Sequence, residues 1–163
     1  MAVSRDMFRT WRHPRLVMRE LLAMGRREDR ALAFLMAGCA ITFVAQWPRL
    51  QREAFMTGED FTQLMSYDLL AWIFMWPLVL YGIAAIAHLV AKLFRGKGTF
   101  YSARLSLFWT LLSTTPIMLF YGLLTGLNGN VAATQIVGAL WLVAFVVIWI
   151  ATLIEAEKDG ADV

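Results

Sequence analysis

The chain has 163 residues, of which 60% are hydrophobic and 17% charged, with a mean hydropathy of +0.60. A soluble domain of this size would expose more apolar surface than water tolerates, so composition points to the bilayer as solvent. The formal net charge of +3 comes from basic residues that flank apolar runs, which argues for membrane topology and against a nucleic-acid partner. A single cysteine, Cys39, leaves no intrachain disulfide and no cysteine-rich metal site.

Residues 1–30 hold eight of the fifteen Lys and Arg residues. They lack a short apolar core and a small-residue cleavage site, so they do not read as a cleavable signal peptide. Pro14 suits the first turn of a helix. From there Val17, Leu21 and Met24 share one face, extended by Met18 and Leu22. The pattern predicts an amphipathic interfacial helix lying on lipid, with packing of the same face against the protein's own bundle as the alternative.

Ala31–Trp47 carries no charge and predicts a first, short span. Residues 48–66 are mixed and read as two short interfacial helices around a turn at residues 57–60. The second span is predicted over residues 67–91, with Pro77 set to kink it. A basic loop follows, in which Lys92, Arg95, Lys97 and Arg104 surround Gly96 and Gly98. The glycines suit a sharp re-entry into the membrane, and the four cations are candidate contacts for anionic lipid. Gly96-Lys97-Gly98 lacks the spacing and the following Ser or Thr of a Walker loop. The third span is expected over residues 105–124 and the fourth over 131–154, joined by the turn-forming run LTGLNGN. Residues 155–163, EAEKDGADV, read as a flexible acidic tail.

The fold class is therefore all-α: a polytopic membrane bundle of four transmembrane helices with an N-terminal amphipathic helix. Thirteen basic residues fall on the side of the N-terminus, the 92–104 loop and the C-terminus, and two, Arg49 and Arg52, on the other. The positive-inside rule then puts both termini in the cytoplasm.

Few residues offer chemistry. Asp68 stands at the head of the second span, where a helix N-terminus stabilises a carboxylate. His88 lies near the end of that span, and with His13 as the only other histidine it reads as a helix-end residue and not a metal ligand. Gln46 and Gln135 are expected near one outer face, within reach of each other. Ser113, Thr114 and Thr115 precede Pro116, so their hydroxyls can bond helix carbonyls, including the one the proline frees. Pro77, Thr115 and Pro116 are accordingly candidate kink and packing residues. WPLVLYG and TPIMLFYG echo each other faintly in spans of opposite direction; a shared packing need or coincidence is the preferred reading, and an inverted arrangement of broken helices of the kind transporters use is the alternative. No catalytic, cofactor-binding or metal constellation is recognisable, so no enzymatic activity and no cofactor are expected.

Two stretches, REDRALAFLMAGCAITFVAQWPR at residues 27–49 and GKGTFYSARLSLFW at residues 96–109, together with the proline-containing span that follows, resemble the bacterial branch of the Yip1 family of small polytopic membrane proteins. The resemblance covers about residues 15–154. It implies a non-catalytic multispan protein of the bacterial cytoplasmic (inner) membrane that associates with itself or with other integral membrane proteins, as an accessory, scaffold or assembly component. Eukaryotic members have five spans and serve secretory traffic, a role bacteria lack; this chain reads as four. A small transporter or channel subunit with proline-kinked helices is the alternative.

Overall fold

A computed structural model describes residues 3–158, and the chain is helical through most of that range. The elements are α1 (Val3–Arg12), α2 (Pro14–Ala23), α3 (Glu28–Thr57), α4 (Phe61–Leu70), a π-helical turn (Ala71–Met75), α5 (Trp76–Leu93), α6 (Phe100–Asn128) and α7 (Ala132–Lys158). Four helical stretches are long and apolar enough to cross a membrane: Glu28–Thr57, Phe61–Leu93, Phe100–Asn128 and Ala132–Lys158.

The first span is longer than its uncharged run suggests. Glu28 and Asp29 occupy the first turn of α3, where acidic side chains favour the positive end of the helix dipole. The helix then continues through Pro48 to Thr57, a length of about 45 Å. It stops at Gly58, whose φ of 76° suits a glycine cap. Asp60 starts α4 by accepting from the Thr62 N–H at 3.0 Å. The turn therefore stands where it was expected, but the two separate interfacial helices do not form. Residues 48–57 prolong α3, and residues 61–66 open a helix that runs on into the second span.

Pro77 is accommodated by a widened turn. It has no N–H to offer the preceding turn, and the π-helical residues Ala71–Met75 lie directly before it.

α6 is the hub. Every residue from Tyr101 to Thr115 is buried except Arg104, which is half-buried. α3 runs parallel beside α6 along its whole length. Arg104 meets Glu28 at one end (2.8 Å), Gly38 lies against Leu111 in the middle, and Arg52 donates to Leu127 O at the other end (3.2 Å). Beyond the middle the two backbones converge. A Cβ on Gly122 would overlap Ala45 O, and one on Gly126 would overlap Pro48. This Gly122-x-x-x-Gly126 pair supplies the close approach that small residues allow in membranes.

α7 runs antiparallel to α6. Gly138 sits under the Tyr121 ring, Thr152 bonds Ser106 at 3.0 Å and Thr110 at 3.2 Å, and Glu157 reaches Gly98. α5 packs on a third side, with Tyr81 edge-on to Phe108 at 5.0 Å. Of the apolar stretch of each span, 61% is buried in α6 and 44% in α3, against 11% in each of the other two. The second and fourth spans thus turn most of their apolar surface outward, as helices bathed by lipid do.

The remaining side of α6 is closed by α1 and α2. Val17, Met18 and Leu21 are buried in the same core cluster as Leu35, Leu105 and Trp109. The face expected to lie on lipid therefore packs inside the protein. Trp109 Nε1 donates to Thr10 Oγ1 (2.9 Å), and Trp11 Nε1 donates to Ser113 O (3.1 Å). Ser113 lies about 13 Å further along α6 than Arg104, so the α1–α2 corner sits well down the side of the bundle rather than at its end. Arg9 holds the corner by donating to Asp6 (3.1 Å) and to both Glu20 oxygens (3.0 and 2.8 Å). The Arg9 hydrogen bonds hold the Glu20 carboxyl below its usual range, and Glu20 and Asp6 in turn raise the arginine.

Candidate functional site

Three segments meet at one end of the bundle: the α2–α3 corner, the loop 94–99, and the C-terminus of α7. Arg19 pairs with Glu155 (Nε to Oε1, 2.9 Å), Arg104 with Glu28, and the Lys97 N–H donates to Glu157 O at 2.9 Å. These segments carry Arg26 and Arg27 at the corner, Arg95 and Lys97 in the loop and Lys158 at the end of α7. This end is the most elaborately built polar region among the described residues.

Its centre is Glu157. The carboxylate is buried, and it accepts from His88 Nδ1 at 2.9 Å through one oxygen and from the Gly98 N–H at 3.0 Å through the other. An accepting carboxylate places the imidazole proton on Nδ1. The His88 ring packs against Phe100, with ring centres 4.3 Å apart. His88 was expected as a helix-end residue; its partner in the structure is an acidic residue of the expected tail. Residues 155–158 are in fact helical, with Glu155, Ala156 and Glu157 buried. The remainder of the expected tail, residues 159–163, lies outside the described residues. Nothing local in the sequence marked Glu157, whose partners His88 and Gly98 lie 69 and 59 residues away along the chain.

The loop glycines act by size. Gly96 and Gly98 do not adopt positive φ; a Cβ on Gly96 would stand 2.6 Å from Glu157 Oε2, and one on Gly98 2.6 Å from Ala156 O. The left-handed residue is Arg95, with φ 66°. α5 ends in a Schellman turn in which the Gly96 N–H donates to Ala91 O (2.8 Å) and the Arg95 N–H to Lys92 O (3.0 Å). That puts an arginine where glycine is customary, at about 1–2 kcal/mol for the left-handed backbone.

The four candidate lipid contacts separate. Arg104 pairs with Glu28 and stacks over Tyr81, and Lys92 lies 5.9 Å over the Phe100 ring. Arg95 and Lys97 instead line a groove of about 690 Å³ between α5 and α7, joined by Lys158, which was not anticipated. A second cavity of about 490 Å³ opens beside α2, bounded by Arg19, Arg26, Tyr101 and Glu155.

The other predicted residues are structural. The Thr115 hydroxyl donates to Leu112 O at 2.7 Å, the carbonyl that Pro116 leaves without its usual N–H. Thr114 donates to Thr110 O and Leu111 O. The Ser113 hydroxyl is buried without a partner, while its carbonyl accepts from Trp11. Pro116 is exposed and Pro77 half-buried. Asp68 sits in an outer cluster at 3.3 Å from Arg49, which also donates to Gln46 (2.9 Å) and Glu53 (2.9 Å). Gln135 bonds Asn130, so the expected Gln46–Gln135 contact does not form. No group of three or more His, Cys, Asp or Glu residues arranged for a metal occurs among the described residues.

The chain matches no family model, and no curated protein or solved structure is significantly similar to it.

Proposed function

We propose that this protein works through its outer surfaces rather than through an interior site: a non-catalytic accessory or assembly component of the bacterial cytoplasmic membrane, Yip1-like, with both termini cytoplasmic. The observation that carries this reading is the enclosed, committed interior of α6. From Tyr101 to Thr115 it is surrounded, and the hydroxyls of Ser106, Thr110, Thr114, Thr115 and Thr152 are used to bond helices to one another or to their own carbonyls. These five hydroxyls are spent on packing and do not line a solute path, which favours this reading over a proline-gated transporter.

The surfaces left for a partner are the outward faces of α5 and α7, where Phe74, Leu78 and Ile86 on the second span and Ile136, Val143 and Val147 on the fourth are exposed. Another copy of the chain or another integral membrane protein would dock there by side-chain packing, since apolar burial alone gives no advantage over lipid.

The test is extraction in mild detergent at native expression, followed by native mass measurement. Association with itself or with a defined membrane protein is the expected result. A protein that runs only as a monomer, with no reproducible partner, would sink the proposal.

A further inference from the structure

We propose that the groove between α5 and α7 binds one anionic phospholipid, with Arg95, Lys97 and Lys158 holding the phosphate and an acyl chain lying between the helices. Both walls carry the polarity profile of a lipid. On α5 the lining is apolar from Ala87 through Val90 to Phe94 and then turns cationic at Arg95; on α7 it is apolar through Leu153 and Ile154 and turns cationic at Lys158. The apolar stretches are about 8–12 Å of helix, and the volume falls within the roughly 300–1,000 Å³ of ordinary ligand sites. Both walls change character at the same end, so a headgroup and a chain fit in one orientation only.

Charge complementarity decides the occupant. The Arg95 and Lys97 side chains are exposed and make no ion pair with any described residue, unlike Arg104, Arg19 and Arg49 nearby or elsewhere. Lys158 shares Glu155 at 3.4 Å. Glu157 also borders the groove, but its oxygens are taken by His88 and Gly98 and it is 8% exposed, so the cations rather than the carboxylate reach the mouth. The left-handed backbone at Arg95 is an independent pointer. A glycine would be less strained there, so the backbone itself gives no reason for an arginine. An Arg guanidinium offers paired donors to a phosphate, and a lysine adds a point charge.

The inference stands whether or not the protein belongs to an assembly. It is tested with the full chain in nanodiscs of phosphatidylcholine, doped with phosphatidylglycerol, by native mass spectrometry of retained lipid and by thermal unfolding. The wild type should retain phosphatidylglycerol at least fivefold over phosphatidylcholine. Arg95→Gly should unfold a few degrees higher in phosphatidylcholine alone, because the backbone strain is relieved, yet lose most of that preference; Lys97→Gln combined with Lys158→Gln should lose it too. Arg26→Gln with Arg27→Gln, at the same end but outside the groove, should keep it. Equal retention of the two lipids by the wild type would overturn the proposal, as would an equal loss in the Arg26/Arg27 control. So would full displacement of the lipid preference by millimolar inorganic phosphate, which would assign the cations to a soluble anion.

Discussion

At the scale of single residues, polar groups in this protein are placed where the backbone has a gap. Pro116 removes the N–H that would have met Leu112 O, and the Thr115 hydroxyl takes its place at 2.7 Å. Thr115→Val keeps shape and removes that donor, so it should destabilise the protein by about 1–3 kcal/mol, the range for an orphaned buried acceptor. In a Pro116→Ala background the new N–H can serve Leu112 O, and the same substitution should cost less than half as much. A double-mutant cycle on unfolding in mixed micelles measures the coupling. Strictly additive effects would mean that the hydroxyl and the proline are unrelated. The pairing itself was legible from the run Ser113-Thr114-Thr115-Pro116. Glu157 was not, because its role depends on a loop about sixty residues away in sequence.

At the scale of helices, close approach is governed by what lacks a side chain. Gly122 and Gly126 let α6 meet the backbone of α3, and what stands in the way of a Cβ, the Ala45 main chain at Gly122 and the ring and main chain of Pro48 at Gly126, cannot swing aside. Gly82, by contrast, is exposed on α5 with nothing within 4 Å of a Cβ. The two positions therefore respond oppositely to the same change. Gly82→Ala should stabilise by about 0.5–1 kcal/mol through helix propensity. Gly122→Ala should destabilise by about 1–3 kcal/mol through overpacking. Unfolding midpoints of the two variants check this, and a Gly122→Ala protein as stable as wild type would show that α3 and α6 do not meet there. Gly122-x-x-x-Gly126 is visible in the sequence as a pattern. Which helix it faces is not, since α3 and α6 are both long, apolar and compatible with several pairings.

At the scale of the whole molecule, charge asymmetry and architecture agree. The α2–α3 corner, the loop 94–99 and the end of α7 come together through Arg19–Glu155, Arg104–Glu28 and Lys97–Glu157. Arg49 and Arg52 stand at the opposite end with the Gly58 turn. In the proposed orientation, with both termini cytoplasmic, Thr57→Cys should react with a membrane-impermeant maleimide in intact cells, and Ser4→Cys only after the membrane is opened. The native Cys39 is buried and serves as a silent background. Labelling of Ser4→Cys alone in intact cells would reverse the orientation.

Composition and the length of the apolar runs were enough to read off four helices able to cross a bilayer and the segregation of basic residues along the chain. The sequence also marked the turns at residues 57–60 and 128–130, where glycine and Asn or Asp chemistry is local. The tertiary structure alone decided which face of each helix is enclosed. Val17, Met18 and Leu21 carry an amphipathic stripe that suits lipid and protein equally, and only the open side of α6 makes protein the answer. The same holds for the cationic loop. Lys92, Arg95, Lys97 and Arg104 look alike in sequence, but a left-handed backbone at Arg95 and a buried carboxylate behind Gly98 turn two of them towards the α5–α7 groove while Arg104 is paired with Glu28. In a membrane, hydrophobicity selects the segments that cross; packing and hydrogen bonds, whose partners are distant in sequence, select how they meet.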